Sequence, residues 1–257
     1  MKIATFNIWN KQVEWEKRIE VICGEIQRIN PDIIALQEVK TFISAESNMN
    51  VAHYISEKLE SFHCIFKEYP DSPDEGLAFL SKFPITSTDM IWNTDTDESN
   101  YCAIRITVKH DDDDLDYGIT NVHLNWRTEE IRQEQIMTVN QWISDNQKSY
   151  EILCGDFNDV PDSNTHRYLI YNDWSDVALN YEKRGFKAQP TLDYTNNTYL
   201  KNEGTSQKTL RYDWILLKSK TSLKSWQIDS VEIFGDKLLG KYAVLPSDHY
   251  GVIAEIN

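Results

Sequence analysis

Residues 2–39 constrain the fold more than any other stretch. Lys2 to Trp9 is a short apolar run that reads as a buried strand ending in polar residues. Glu14 to Asn30 repeats apolar side chains at Ile19, Ile22, Cys23, Ile26 and Ile29, which is helical spacing, and Asn30-Pro31 stops it. Asp32 to Val39 carries a second run, Ile33 to Leu36, followed by Gln37 and Glu38. Strands joined through a helix at this spacing form a βαβ-type unit. The polar ends that hold Asn7 and Glu38 then emerge at the same edge of a sheet.

The rest of the chain mixes both element types. Residues 47–60 read as a helix with Val51, Tyr54, Ile55 and Leu59 inward, and His63 to Tyr69 as a strand. Asp71 to Glu75 reads as an acidic turn around Pro73. Strands are expected at Gly76–Ser81 and Ile85–Trp92, then a polar loop over 93–100. Tyr101–Lys109 and Leu115–Leu124 form an expected hairpin whose tip is the solvated run Asp111 to Asp114. Thr128 to Asn146 is an expected helix with a capping threonine and early acids, its inner stripe at Ile131, Gln135, Thr138 and Trp142, widened by Ile136, Val139 and Ile143. A short helix is expected at Ser163–Tyr171, mostly loop over 172–208, and strands at Arg211–Lys218, Gln227–Phe234 and Tyr250–Ile256. This alternation, with hairpins in its middle, predicts one α/β domain over residues 1–257 that contains more than one sheet.

Ile152 to Asp159 is the most chemically loaded stretch. It reads as a buried strand that breaks at Gly155 and is followed by Asp156 and Asn158. If the strand runs that far, the two side chains point the same way, because strand side chains alternate. A carboxylate and an amide converging there suit a hydrated divalent cation or a phosphate oxygen. Polar residues recur beside other apolar runs: Asn7, Glu38, His123, Asp213 and Asp248-His249. Buried unpaired carboxylates are costly, so such a cluster implies a cation or hydrogen-bonding partners.

Composition narrows the partners. The chain has 26 basic and 41 acidic residues, a net charge of −15. That balance disfavours broad adhesion to nucleic acid or anionic membrane, and leaves room for a small phosphorylated substrate. Cys23, Cys64, Cys102 and Cys154 are widely spaced in apolar surroundings and read as reduced thiols. No apolar run approaches the ~20 residues of a membrane helix, and a strand begins at Lys2 where a leader would lie, so a cytoplasmic location is expected. No protein partner is implied.

The ordered set of motifs resembles the endonuclease/exonuclease/phosphatase family along nearly the whole chain. The resemblance is carried by Ala4-Thr5-Phe6-Asn7-Ile8-Trp9, Leu36-Gln37-Glu38-Val39, the segment from Gly76 to Ile85 and Asn121-Val122-His123-Leu124. It continues through Gly155-Asp156-Phe157-Asn158, Tyr212-Asp213-Trp214-Ile215 and Ser247-Asp248-His249-Tyr250-Gly251. The resemblance implies a four-layer sandwich, two mixed β-sheets face to face and flanked by helices, with the active site at one edge. It also implies hydrolysis of phosphoric esters with Mg²⁺ or Mn²⁺.

By the same resemblance, Asn7, Glu38 and Asp248 would hold the metal, since a hard cation favours carboxylate oxygen. His249 would be the general base, oriented by Asp213. Asp156 would position or help deprotonate the water, or bind a second metal. Asn158 would donate to the phosphate, and His123 would stabilise the transition state or protonate the leaving oxygen. Arg127 and Trp126 are candidate substrate contacts, with Trp174 a second stacking candidate and Lys82 and Arg105 weaker phosphate contacts. His53, His63, His110 and His166 match no motif.

Trp9 stands where abasic endonucleases carry an acid, which argues against that branch. The chain lacks the long apolar hairpin of membrane-acting sphingomyelinases and the basic motifs of inositol-polyphosphate 5-phosphatases. The expected activity is a phosphodiesterase acting on nucleic acid or a small diester. The alternatives are a phosphomonoesterase, a sphingomyelinase-like lipid phosphodiesterase, and a non-catalytic binding protein of the same fold.

Overall fold

The computed structural model describes residues 1–43, 48–70, 72–91, 103–109, 115–201, 208–220, 223, 225–238 and 242–257. The N-terminal unit is built as its sequence predicts. Strands β1 (Lys2–Asn7) and β2 (Ile33–Ile43) pair in parallel, Ile3 opposite Ile33 and Asn7 opposite Gln37, and α1 (Trp15–Ile29) crosses between them. Then follow β3 (Asn48–Asn50), α2 (Val51–Leu59), β4 (His63–Tyr69), β5 (Ser72–Ser81) and β6 (Ile85–Ile91). The middle of the chain forms β7 (Ala103–Lys109), β8 (Asp116–His123), α3 (Glu129–Asp145), β9 (Tyr150–Asp156) and α4 (Asn164–Tyr171). The C-terminal part supplies β10 (Ser175–Asp176), α5 (Val177–Glu182), β11 (Leu192–Asp193), β12 (Thr209–Leu210), β13 (Asp213–Ser219), β14 (Ile228–Phe234) and β15 (Gly251–Ile256).

The first sheet has the order β14-β15-β1-β2-β5-β4, with β3 on β2; the second has the order β10-β13-β9-β8-β7-β6. Both mix parallel and antiparallel pairs. Strand alternation sorts the side chains into layers. Ile3, Ala35 and Phe79 of the first sheet meet Ile106, Ile119, Ile152 and Ile215 of the second in a core between the sheets. Phe6, Ile34 and Leu36 face α1 and α2 on one outside, and Val122, Leu153 and Trp214 face α3 and α4 on the other. The result is the four-layer sandwich.

Several local expectations are corrected. Residues 72–75 belong to β5 and are not a turn: Glu75 pairs with Lys40 of β2, and Ser72 pairs with Tyr69 of β4, which carries the ladder past Pro73. The helix expected over 47–60 begins only at Val51, because Asn50 caps it and 48–50 pair with β2. Helix α3 buries Gln135, Ile136, Val139, Asn140 and Ile143, whereas Thr138 is exposed; Gln135 and Asn140 are buried because they hydrogen-bond there. The stretch 172–201 contains β10, α5 and β11 where mostly loop was expected, while 202–207 lie outside the described residues. The polar loop 93–100, Asp111 to Asp114, Cys102 and His110 also lie outside them. Cys23, Cys64 and Cys154 are free thiols. Among the described residues no helix is long and apolar enough to cross a membrane.

Candidate active site

The same alternation that builds the inner core delivers the site. On β1, Ile3 faces between the sheets, and so by parity do Thr5 and Asn7; on β8, Ile119 is followed by Asn121 and His123. On β9, Ile152 and Cys154 are followed by Asp156, and on β13 Asp213 precedes Ile215 and Leu217 on that face. Asp156 lies opposite His123 on one side and Asp213 on the other. Each strand thus exchanges its apolar inner residues for a polar one at the same edge of the sandwich.

Glu38 needs a different device. Strict alternation would send it with Ile34 and Leu36 toward the helices. A register shift between Leu36 and Val39, with Glu38 at φ 55°, inserts one extra residue. Val39 then takes the helix-facing side and the Glu38 carboxylate turns to Asn7. Gly155 is required for a related reason: at φ 140°, an added Cβ would lie 2.0 Å from the Val122 carbonyl oxygen.

Asp156 is the junction. Asn7 Nδ2 donates to Asp156 Oδ2 and to Glu38 Oε1, both at 3.0 Å. His123 Nε2 and His249 Nε2 lie 3.7 and 3.8 Å from the same Asp156 oxygen. His249 Nδ1 meets Asp213 Oδ2 at 2.9 Å, and Tyr69 Oη meets His123 Nδ1 at 3.0 Å. Asp156 and Asn158 do not share a strand face. The strand ends at Asp156, Asn158 adopts φ 51°, and its backbone N–H donates to Asp156 Oδ1 at 2.8 Å. Asn158 Nδ2 donates to the Leu124 carbonyl at 2.9 Å.

The 247–249 segment is stitched to β1. Ser247 Oγ donates to the Asn7 carbonyl at 2.7 Å and lies 3.1 Å from Asp248 Oδ1, and the His249 N–H donates back to Ser247 Oγ at 3.1 Å. Asn197 Nδ2 donates to the carbonyls of Ser247 and Asp248. Arg18, fully buried, donates to the carbonyls of Ile8, Trp9 and Lys11 on one loop and Pro246 on another. Below the site, Gln37 Nε2 donates to Asn121 Oδ1 at 2.7 Å, joining the two sheets.

The electrostatics follow from burial and crowding. Burial opposes charge on His249, but Asp213 and Asp156 outweigh it and hold its pKa well above 6.5. Burial, partly offset by the His249 charge, raises the Asp213 carboxyl, and Asp156 adds to the rise. Burial pushes Asp248 up to about 7 against the pull of His249, and Glu38 pushes the same way. Ligand atoms of Asp156, Asp213 and His249 lie within 4.8 Å of one another, while Asn7 bridges Asp156 to Glu38.

Every expected catalytic and metal position lies at this edge. The candidate contacts divide. Trp126 and Arg127 are exposed just beyond His123, the guanidinium carbon 5.1 Å from the ring centroid. Trp174 is 3% exposed and bonded to Asn140, so it packs the core and offers no stacking face. Arg105 is buried against Glu151, and Lys82 binds the Asn30 side chain at 2.6 Å, at the strand ends opposite the site. Tyr69, Asn10, Glu75 and Thr191 were not anticipated. Asn10 N–H donates to Glu38 Oε2 and its amide to Glu75 Oε2, and Thr191 Oγ1 accepts from the N–H groups of Tyr212 and Asp213. Only Glu75, an acid beside a Gly-started apolar run, had a sequence signal.

A sequence profile described as Endonuclease/Exonuclease/phosphatase family matches residues 4–249. Nocturnin of Rattus norvegicus is 28% identical over 95% of this chain and 59% of its own length; Nocturnin of Homo sapiens is 26% identical over the same shares. The chain thus spans under two thirds of those relatives. Among solved structures, D. rerio TDP2 complexed with single-strand DNA product superposes with a TM-score of 0.79 at 19% identity, covering 100% of this chain and 98% of that one. A Bacteroides thetaiotaomicron mannosyl-6-phosphatase gives 0.76 at 18%, covering 100% and 99%. These likenesses show the shared fold, and the profile match settles the grouping: the chain belongs to the endonuclease/exonuclease/phosphatase family.

Proposed function

We propose that residues 1–257 act as one catalytic domain, a divalent-metal-dependent phosphoric ester hydrolase working as a phosphodiesterase. The observation that carries this reading is the convergence of Asn7, His123 and His249 on Asp156 Oδ2, with Asp213 behind His249. The oxygen-rich donors Glu38, Asp248 and Asn7 fit a hard cation, Mg²⁺ or Mn²⁺. Burial raises Asp248 to about 7 against the pull of His249, with Glu38 adding to the rise, so a cation between the two carboxylates would favour their charged forms. When bound, such a cation polarises the phosphoryl oxygen and offsets the charge that develops there.

Asp213 accepts a hydrogen bond from His249 Nδ1–H and leaves Nε2 facing Asp156. Water held between Nε2 and Asp156 gives its proton to His249 as its oxygen attacks phosphorus. The ester P–O bond breaks, and His123, oriented through Tyr69, protonates the departing oxygen. Asn158 steadies a phosphate oxygen. The elevated pKa of His249 favours a second division of labour. There, charged His249 steadies the phosphoryl oxygen and Asp156 takes the water proton. The rate rises as His249 deprotonates under the first scheme and falls under the second.

The relatives leave substrate class divided. One neighbour was solved with a DNA product and another is named a mannosyl-6-phosphatase, so a phosphomonoester is the alternative. The test is hydrolysis of an aryl phosphodiester and its monoester, with Mg²⁺ or Mn²⁺ and with chelator. Wild type is compared with His249→Ala and Glu38→Gln. Diester cleavage lost with chelator and in both variants is expected. A monoester preference would replace the diesterase reading, and cleavage that persists with chelator would remove the metal from it.

A further inference from the structure

We propose that Trp126 and Arg127 form a platform that stacks a nucleobase, so that the substrate is a nucleotide. This rests on the phosphoric ester reading above. Trp126 is 61% exposed, and three residues of chain, at most ~11 Å, separate it from His123. Singly exposed apolar side chains are ordinary, and Tyr171 is 88% exposed; what sets Trp126 apart is its place next to the site on a segment that is not a loose loop.

The backbone on both sides is pinned. Leu124 N–H donates to the Asp156 carbonyl at 3.0 Å, and Asn125 N–H to Gln135 Oε1 at 2.8 Å. The buried Asn125 side chain accepts from the N–H groups of Arg127 and Thr128 at 2.8 and 3.0 Å. Arg132 Nη1 holds the Asn125 carbonyl at 3.1 Å. Three side chains and a strand thus fix the backbone that carries this exposed ring, which preorganises the segment for a flat ligand.

The ring also has a charge partner. The Arg127 guanidinium carbon lies 5.1 Å from the Trp126 ring centroid. A π-face next to a cation matches a base that carries a phosphate, since the base stacks while the cation meets the anion. A sugar or alkyl phosphate would meet the cation equally but offers no flat π-face to the ring. A net charge of −15 disfavours a polymer tracked along its backbone, and a local pair that reads one base needs no such track.

Calorimetric titration of the full chain with Mg²⁺ present, comparing thymidine 5′-monophosphate with deoxyribose 5-phosphate, tests the platform without turnover. Wild type is expected to bind the base-bearing ligand about tenfold more tightly, the scale of stacking one base. Trp126→Ala should bring that ratio to about one, and Trp126→Phe should keep most of it. A wild-type ratio near one, or a ratio that survives Trp126→Ala, overturns the proposal. So does a loss confined to deoxyribose 5-phosphate, which would mark a sugar-stacking ring. If the alanine variant unfolds, the phenylalanine variant and Arg127→Gln carry the comparison; Arg127→Gln should weaken both ligands by a similar factor, since both carry the phosphate, and unchanged affinity for both removes the cation from the platform and overturns it as stated. Cleavage of the p-nitrophenyl ester of thymidine 5′-phosphate against p-nitrophenyl methyl phosphate is read separately. Cleavage without base preference sinks the platform and leaves the hydrolase standing. Base-selective binding without cleavage does the reverse.

Discussion

His166 meets Asp176 at 3.0 Å and His249 meets Asp213 at 2.9 Å, all four side chains buried. The pairs nonetheless sit in opposite electrostatic settings. Asp176 also takes both guanidinium nitrogens of Arg211, and its Oδ1 caps α5 by accepting from Ala178 and Leu179 N–H. Burial would raise its pKa, yet His166 and Arg211 hold it below 3.8. Among the described residues Asp213 has no such guanidinium and its Oδ1 has no hydrogen-bond partner, and Asp156 crowds the same histidine. Burial therefore wins at Asp213 and raises it. A histidine–aspartate contact is structural when its charge is fully compensated. It becomes chemical when one histidine nitrogen is left facing an open carboxylate.

The largest effect that sharpens this contrast is on rate. His249→Ala should lower turnover by about 10²–10⁴-fold, the range of a positioned acid or base. His166→Ala should act mainly on stability. Comparable rate losses in both, measured on folded protein, would erase the distinction.

Arg211→Met should leave Asp176 buried without its main counter-charge and cost about 3–5 kcal/mol of unfolding free energy. A chemical denaturation curve within ~1 kcal/mol of wild type would show that the pair is less compensated than its geometry indicates. Thr191→Val comes next. It removes the hydroxyl that accepts from Tyr212 and Asp213, at about 1–3 kcal/mol if both amides stay unpaired. The expected rate loss is smaller than for His249→Ala, and equality would make Thr191 as central as the histidine.

The smallest effect is a difference in pH slope. Asp176 is depressed on folding, so its stabilisation is present above 3.8 and drains away as pH falls through the lower folded value. His249 is raised, so its contribution is present below 6.5 and is lost as pH rises through the higher folded value. Melting temperature against pH should lose part of its acid limb in Asp176→Asn and part of its alkaline slope in His249→Gln. Either variant changing the other limb would contradict the assignment.

Much of the site was legible before folding because strand parity is written in sequence. Ile119, Asn121 and His123 step along one face, as do Ile152, Cys154 and Asp156. A polar residue ending an apolar inner stripe is therefore visible in the chain. The helical stripe of α1 was equally plain. The face of α3 was misjudged at Thr138, which is exposed, and at Asn140, which is buried through a partner that periodicity does not reveal. Trp174 and Trp126 look alike as sequence, and only the packing separates a core ring from an exposed one.

By itself the sequence determined the parallel β1–β2 unit, the family motifs in their order and the residue types that meet at the site. Those depend on local periodicity and on short spacings. The tertiary structure decided what crosses long separations. The bulge turns Glu38 from the helix side to Asn7, and Arg18 and Ser247 tie the 247–249 segment to β1. It also decided that, among the described residues, one histidine–aspartate pair has an arginine and the other does not. Compensation of a buried charge is a sum over neighbours distant in sequence, and that sum exists only once the sheets have packed.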